Sequence, residues 1–354
     1  MCHVLNRYIV KFACLSSLLF GSPLWALSDS SSVIESRLAV LSEISQRIQT
    51  ELFDPSLAPD YLARLSEISS QSDLTKPLDS DEFALRIHWA LQAVQADGHL
   101  SIYGPQRTQN LLGQFYTDED EVSESGRTSD APPPFSVTHH NVADGYAAII
   151  SMTGFADSDE IAAELNATMG ALPPGTPLIF DLRGNRGGNA RHFRLLSGCL
   201  FSETTPVHAI RWRDGDGFRT IVRHSEPDPV CSHHANSPIY VLVDHQTAST
   251  AELMPFILQA RRRAVIVGET TYGASHAAEF YELPGEYSMM IPIGATYDPV
   301  TGGDWDGVGV IPDIAVKSDR ALEAALVHYS GQVLCARLAP SMPGFTCETD
   351  IPEE

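Results

Sequence analysis

The chain has 354 residues, of which 43% are hydrophobic and 19% charged, with 25 Gly and 23 Pro, a composition that excludes a fibrous or wholly disordered protein. Its 45 acidic residues outnumber 23 basic ones, and the formal net charge of -22 repels phosphate backbones and anionic lipid surfaces, so nucleic acid is excluded as a partner. The basic set holds only three lysines, Lys11, Lys76 and Lys317, which leaves lysine-dependent chemistry few places to reside.

The first 26 residues read as a secretory signal: Arg7 and Lys11 form the positive region, Phe12 to Leu24 the apolar run, and Ala26 the small residue at a cleavage point. The run contains Ser16, Ser17, Ser22 and Pro23 and is short for a span of roughly 20 residues, and no later segment is long and apolar enough to cross a membrane. The expectation is an exported protein, periplasmic or secreted. Cys2 and Cys14 would leave with the signal, and the remaining Cys199, Cys231, Cys335 and Cys347 form an even set that an oxidising compartment allows to pair. Of the three possible pairings, Cys199 with Cys231 and Cys335 with Cys347 is the simplest because both are local.

Residues 27–100 form a helical domain in this reading. Val33, Leu38, Leu41, Ile44 and Ile48, then Phe83, Leu85, Ile87, Leu91 and Val94, recur at helical spacing, and Pro55, Pro59 and Pro77 divide the region into about three helices. Residues 101–140 turn acidic and proline-rich, with Asp118 to Glu121 and Pro132 to Pro134, and are expected to be a loop or linker.

Residues 141–320 alternate short apolar runs with helical stretches, the pattern of an α/β sheet with helices packed on it. Strands are expected at Tyr146 to Met152, Leu178 to Leu182, Ile239 to Val243 and Ala264 to Val267, with helices at Asp157 to Met169 and from about Thr250. Residues 321–354 add a helix near Ala321 to Tyr329 and a tail. No CxxC spacing occurs, and the His139-His140 and His233-His234 doublets lack neighbouring Cys or carboxylate ligands, so they read as solvated loop histidines and no metal is expected.

Four segments could carry chemistry. The run from Ile239 to Glu252 is a buried strand, a sharp turn and a helix, which places Ser249 at a helix N-terminus, where amide groups and the helix dipole favour negative charge. The rival account of the same residues is a capping box, Ser249-x-x-Glu252. Asp181-Leu182-Arg183-Gly184-Asn185-Arg186-Gly187-Gly188 ends a strand in a turn whose glycines allow backbone amides to approach a substrate oxygen, and it contains neither GxGxxG nor GK[ST]. Gly187 or Gly188, with the Thr250 amide, is the candidate oxyanion site. The remaining two are Asp97-Gly98-His99-Leu100 and Trp305-Asp306-Gly307, each an ordinary turn when taken alone.

In combination these segments resemble the C-terminal processing (tail-specific) peptidase family. The likeness runs from about Gly145 to Val316 and rests on the Gly-rich turn, Thr247-Ala248-Ser249-Thr250-Ala251-Glu252, Gly268 to Gly273 and Gly307 to Asp313, in family order. It implies a ClpP/crotonase-like ββα core with an N-terminal helical domain, with Ser249 as nucleophile. Family members with a Ser/Lys dyad carry the lysine where this chain has Ala274, and the 45 or so residues between His99 and Tyr146 are too few for a PDZ module by ordinary domain size. The chain is therefore more similar to the branch of the tricorn core and interphotoreceptor retinoid-binding protein, which implies His99 as base and Asp306 as the assisting acid. The acid there is usually Glu, and Gly98 replaces a serine that can precede the histidine. The implied activity is hydrolysis of peptide or protein substrates through a Ser/His acyl-enzyme without a cofactor. The alternatives are an apolar-ligand-binding protein on the same core, or an esterase.

Overall fold

The computed structural model describes residues 24–338, apart from 71, 116–134, 156 and 216. Most of the expected signal, with Cys2 and Cys14, and the tail with Cys347 lie outside the described residues. Among those described, no helix is long and apolar enough to cross a membrane.

Three helices open the chain: α1 (Leu24–Glu51), α2 (Ala58–Ser70) and α3 (Ser80–Gln92). Their buried face is Val40, Ile44 and Ile48 on α1, Tyr61 and Leu65 on α2, and Phe83, Ile87 and Leu91 on α3. These residues recur at i, i+4, so they stack on one side of each helix. Leu38 and Leu85, expected in the same stripe, are exposed. Each stands two residues from the buried row, which at about 100° per residue turns it to the opposite side. Val33, also expected there, is exposed as well.

The helices do not form a separate body. Their core continues into Leu283, Tyr287, Met289 and Ile291 of a second sheet. That sheet begins within the segment read above as loop: β1 (Ser101–Tyr103) and α4 (Pro105–Phe115) are regular, and β2 (Phe135–Val142) starts before residue 140. The acidic run from Asp118 and the prolines at 132–134 lie outside the described residues. They are the part whose composition lacks apolar periodicity.

The main layer comprises β2, β3 (Gly145–Met152), α5 (Asp159–Ala171), β4 (Leu178–Asp181) and α6 (Ala190–Ser197). A long hairpin follows, β5 (Thr205–Asp214) and β6 (Gly217–Ser225), then β7 (Ile239–Val243), α7 (Thr250–Ala260) and β8 (Val265–Gly268). A second hairpin, β9 (His276–Leu283) and β10 (Tyr287–Tyr297), precedes β11 (Ile314–Ala315) and α8 (Ala321–Leu338). The six-stranded sheet has the order β11-β8-β7-β4-β3-β2, parallel except for β2. Strand alternation sends Phe180, Val241, Val243 and Ile266 to a core shared with α5, α6 and α7. Ile179, Tyr240, Leu242 and Val267 face α8 through Ala321, Ala325 and Tyr329. Both faces are covered, which is why β7 is apolar at every position. The α/β expectation holds, with strands within a residue or two of the expected bounds.

The second sheet, β1-β10-β5-β6 with β9 also on β10, consists of hairpins that no expectation above included. Cys199 and Cys231 form the expected disulfide. Cys335 is also disulfide-bonded, and its expected pairing with Cys347 reaches outside the described residues. The histidine doublets need a correction. His234 is fully buried, with Nδ1 3.0 Å from Ser237 Oγ and Nε2 2.9 Å from the Met169 carbonyl, so it is a packed core histidine and not a solvated one.

His208, buried on β5, has its pKa held down to about 4 by desolvation, helped by the nearby charge of Arg223. A histidine that stays neutral when folded but protonates when unfolded costs stability as pH falls from about 6.5 towards 4. Unfolding free energies measured across that range should fall by on the order of 2 to 3 kcal/mol from this group, and His208→Gln should flatten the slope.

Candidate active site

Ser249 stands at the end of the turn that leaves the C-terminal edge of β7 and is the N-cap of α7. Its backbone adopts φ 57° and ψ -124°, a region that L-residues occupy only at a cost of about 1 to 3 kcal/mol when surrounding structure holds them there. The holding contacts are explicit. Asp244 Oδ1 accepts from the amides of Gly184, Gln246 and Thr247 at 2.9 to 3.0 Å. The Thr247 hydroxyl donates to the Leu182 carbonyl, and the Ala248 amide to the Asn185 carbonyl, both at 3.0 Å. These bonds fasten the Ser249 turn to the glycine-rich turn after β4.

Glu252 completes the restraint. Its side chain has no exposed surface. It accepts four hydrogen bonds: from the Ser249 amide at 2.8 Å, the Thr271 hydroxyl at 2.5 Å, and the amides of Gly273 and Ala274 at 2.6 and 2.9 Å. The Ser249-x-x-Glu252 spacing is therefore used for more than helix capping. The carboxylate ties the Ser249 turn to residues 271–274, and the Glu252 amide is satisfied by the Ser249 carbonyl at 2.8 Å.

The glycine-rich turn lies directly against Ser249. A Cβ on Gly187 would sit 2.8 Å from Ser249 Cβ and 3.0 Å from the Thr250 nitrogen, so only glycine permits the approach. The Gly187 amide, however, donates to Asn185 Oδ1 at 2.9 Å. The amides of Gly188 and Thr250 have no protein acceptor among the described residues. The Thr250 hydroxyl donates to the Gly188 carbonyl at 2.7 Å, which fixes these two residues relative to each other. Of the three expected oxyanion residues, two thus offer amide donors, while Gly187 supplies the space.

His99 reaches this place from the other sheet. Gln92 of α3 shapes its turn, donating to the Asp97 and Leu100 carbonyls and accepting from the Asp97 amide. Asp97 Oδ1 accepts the His99 amide at 2.7 Å. A Cβ on Gly98 would stand 2.7 Å from Tyr272 Cε1 and 3.2 Å from Ala274 Cβ, so the turn lies on the segment that Glu252 holds. Tyr272 and Ala274 thus link the His99 turn, through Glu252, to the Ser249 turn, and no hydrogen bond joins the His99 and Ser249 side chains in this structure. The His99 ring is buried, with Nδ1 unpartnered. Burial lowers its pKa, with Asp97 and Asp306 opposing and His276 reinforcing the effect.

Asp306 is placed differently from the expected assisting role. Its carboxylate accepts from the Ser275 amide at 3.1 Å and from the Ser275 hydroxyl at 3.4 Å, and makes no hydrogen bond to His99. Its turn is anchored by the buried Trp305, whose ring lies 5.0 Å from that of Phe256. The sequence reading missed His276. Its Nδ1 is 2.8 Å from Asp97 Oδ2 and 3.8 Å from Asp306 Oδ1. Nothing local marks this residue, which is the first of an edge hairpin strand. Ala274, expected where the dyad lysine would stand, is buried.

Residues 145–316 match the sequence profile of Peptidase family S41. The chain is 30% identical over 135 residues to carboxyl-terminal-processing peptidase 1 of Arabidopsis thaliana chloroplasts, covering 38% of this chain and 26% of the relative. It is 27% identical over 177 residues to the carboxyl-terminal-processing protease of Synechocystis sp., covering 47% and 39%. The chain thus spans between about a quarter and two fifths of the length of these curated relatives. Among solved structures, a photosystem II D1 C-terminal processing protease superposes with a TM-score of 0.56 at 16% identity, over 83% of this chain and 97% of that one. The tricorn protease superposes with a TM-score of 0.54 at 10% identity, over 85% and 37%. These two share the fold.

Removing the Glu252 carboxylate would leave three amides and a hydroxyl buried without an acceptor. Glu252→Ala should cost at least about 3 kcal/mol in denaturant unfolding, because each stranded donor carries a penalty of about 1 to 3 kcal/mol. Glu252→Gln, which keeps one accepting oxygen, should fall between Ala and wild type.

Proposed function

Given that residues 145–316 match the profile of Peptidase family S41, we propose that this protein is an exported serine peptidase of that family acting through an acyl-enzyme on Ser249. The observation that carries the reading is the backbone of Ser249. A non-glycine residue held at φ 57° and ψ -124°, beside two amides without protein acceptors among the described residues, is strain kept next to a donor pair.

In this mechanism Ser249 Oγ attacks the scissile carbonyl carbon as its proton passes to the His99 imidazole. The carbonyl oxygen, now negative, is received by the Gly188 and Thr250 amides. Collapse of the tetrahedral intermediate breaks the C–N bond, and His99 returns the proton to the leaving amine. Water then cleaves the Ser249 ester by the same steps in reverse. Asp97 shapes the turn that carries His99, and Glu252 holds Ser249 in place. The substrate class is peptide or protein, bound as an added strand beside the glycine-rich turn. Export is supported by the charged and apolar pattern of the first 26 residues and by the Cys199–Cys231 disulfide, a bond of oxidising compartments. The intact mass of the exported protein should correspond to a chain beginning near Leu27.

A fluorophosphonate probe should label the wild type, and labelling should vanish in Ser249→Ala. Persistent labelling of that variant would remove Ser249 from the mechanism. Ser249→Gly should also abolish labelling while raising stability by about 1 kcal/mol in thermal or denaturant unfolding, since glycine relieves the positive φ. Labelling by the probe separates a hydrolase from an apolar-ligand carrier, and digestion of a peptide library separates a peptidase from an esterase.

The base must be neutral to accept a proton, and burial lowers the His99 pKa below the ordinary 6.5. The acid limb of the kcat/KM profile should therefore lie below pH 6.5. His99→Ala should lose several orders of magnitude in kcat/KM, and Asp306→Ala less, as Asp306 does not touch the base.

A further inference from the structure

His276 is a second histidine in the site, and neither the serine mechanism nor the family motifs give it a task. Its position is defined from several elements at once. Asp97, on the turn after α3, binds Nδ1 at 2.8 Å. Asp306, on the turn before β11, stands 3.8 Å from the same atom. The Phe53 ring, from the segment after α1, lies 6.0 Å from the imidazole. The side chain of His276 is 18% exposed and that of Asp97 is 7% exposed, so the pair is largely withdrawn from water.

Asp97 is shared between the two histidines: Oδ1 accepts the His99 amide and Oδ2 meets His276. The carboxylates of Asp97 and Asp306 stand 2.8 and 3.8 Å from His276 Nδ1, and among the described residues no carboxylate hydrogen-bonds the ring of His99.

We propose that His276 is a positioning residue of this site: an imidazolium clamped between Asp97 and Asp306 that locks Asp97 against the His99 turn and keeps the His99 ring uncharged. The inference rests on the serine-peptidase reading only for its kinetic consequence. Two cations side by side in a buried site repel, so the histidine with carboxylate partners takes the proton and the histidine without them stays neutral. Divergent environments of this kind assign one group to charge and the other to proton acceptance.

The electrostatics agree with the geometry. Burial works against charge on His276, but the hydrogen bond and charge of Asp97, with the charges of Asp306 and Asp304, outweigh it and raise the pKa. Burial likewise opposes charge on Asp97, yet its bonds to His276 and to the His99 amide bring its pKa below the ordinary carboxylate value. His99 is lowered by burial first, and His276 pushes in the same direction. The groups facing the pair are thus Asp97, Asp304 and Asp306. The guanidinium of Arg211 stacks 5.4 Å from the Phe53 centroid, on that ring and not on the imidazole.

The test is histidine titration by imidazole NMR of the full-length mature protein, paired with the pH profile of kcat/KM on a peptide substrate. In the wild type His276 should titrate above 6.5 and His99 below it. The informative variant is His276→Asn, whose amide can donate to Asp97 from nearly the place of Nδ1 but carries no charge. His99 should then titrate higher by about one pH unit, roughly tenfold in proton affinity, and the acid limb of kcat/KM should move up with it. A wild type in which His276 titrates at or below His99 overturns the proposal, as does a folded His276→Asn protein in which the His99 titration stays in place. The NMR measurement needs no turnover, so a protein inactive on peptides would refute the peptidase reading while still deciding the role of His276.

Discussion

A carboxylate with no exposed surface, Glu252, is the constraint on which the site depends. Burying such a group in the first turn of an apolar helix is unfavourable unless its lone pairs are filled, and here four donors fill them. The donors come from two places, the Ser249 amide on one side and residues 271–274 on the other. The carboxylate therefore fixes a distance as well as its own solvation. It holds Ser249 in a conformation the backbone would otherwise leave, and it sets the segment against which Gly98 and His99 pack.

That link matters because the two halves of the site belong to different sheets. The parallel sheet supplies Ser249 and the Thr250 amide beyond the end of β7, and the Gly188 amide from the turn after β4, the edge at which α/β sheets open for ligands. The second sheet supplies His99, just before β1, and His276, the first residue of β9. β1 and β9 both pair with β10, so β10 carries both histidines to the same region. The N-terminal helices are part of this construction, since their apolar face closes over Met289 and Ile291 of β10.

The acidity of the chain takes a specific form at the site. The charged partners of His276 are Asp97, Asp306 and Asp304. In a setting with three carboxylates and two imidazoles, proton affinity is decided by which ring the carboxylates face. The orphaned Nδ1 of His99 and the doubly faced Nδ1 of His276 are the two outcomes of one asymmetric placement.

Local signals in the sequence determined a good part of this. The uninterrupted apolar run of β7, the Ser249-x-x-Glu252 spacing, the glycine-rich turn and the close spacing of Cys199 and Cys231 each act over a few tens of residues at most, so each could be read from the chain alone. The family resemblance singled out His99, whose own turn is unremarkable. What the sequence could not decide depends on contacts between distant segments. Asp97 and His276 are separated by 179 positions, and no local pattern predicts that a hairpin edge will bring them together. Whether Gly187 or Gly188 keeps a free amide depends on where the Asn185 side chain turns after the loop has folded. Whether Asp306 faces His99 depends on how Trp305 seats its turn against Phe256. Residue types and short spacings are properties of the chain, but hydrogen-bond partners and the sharing of a proton between two rings arise only when burial has removed water as the competing partner.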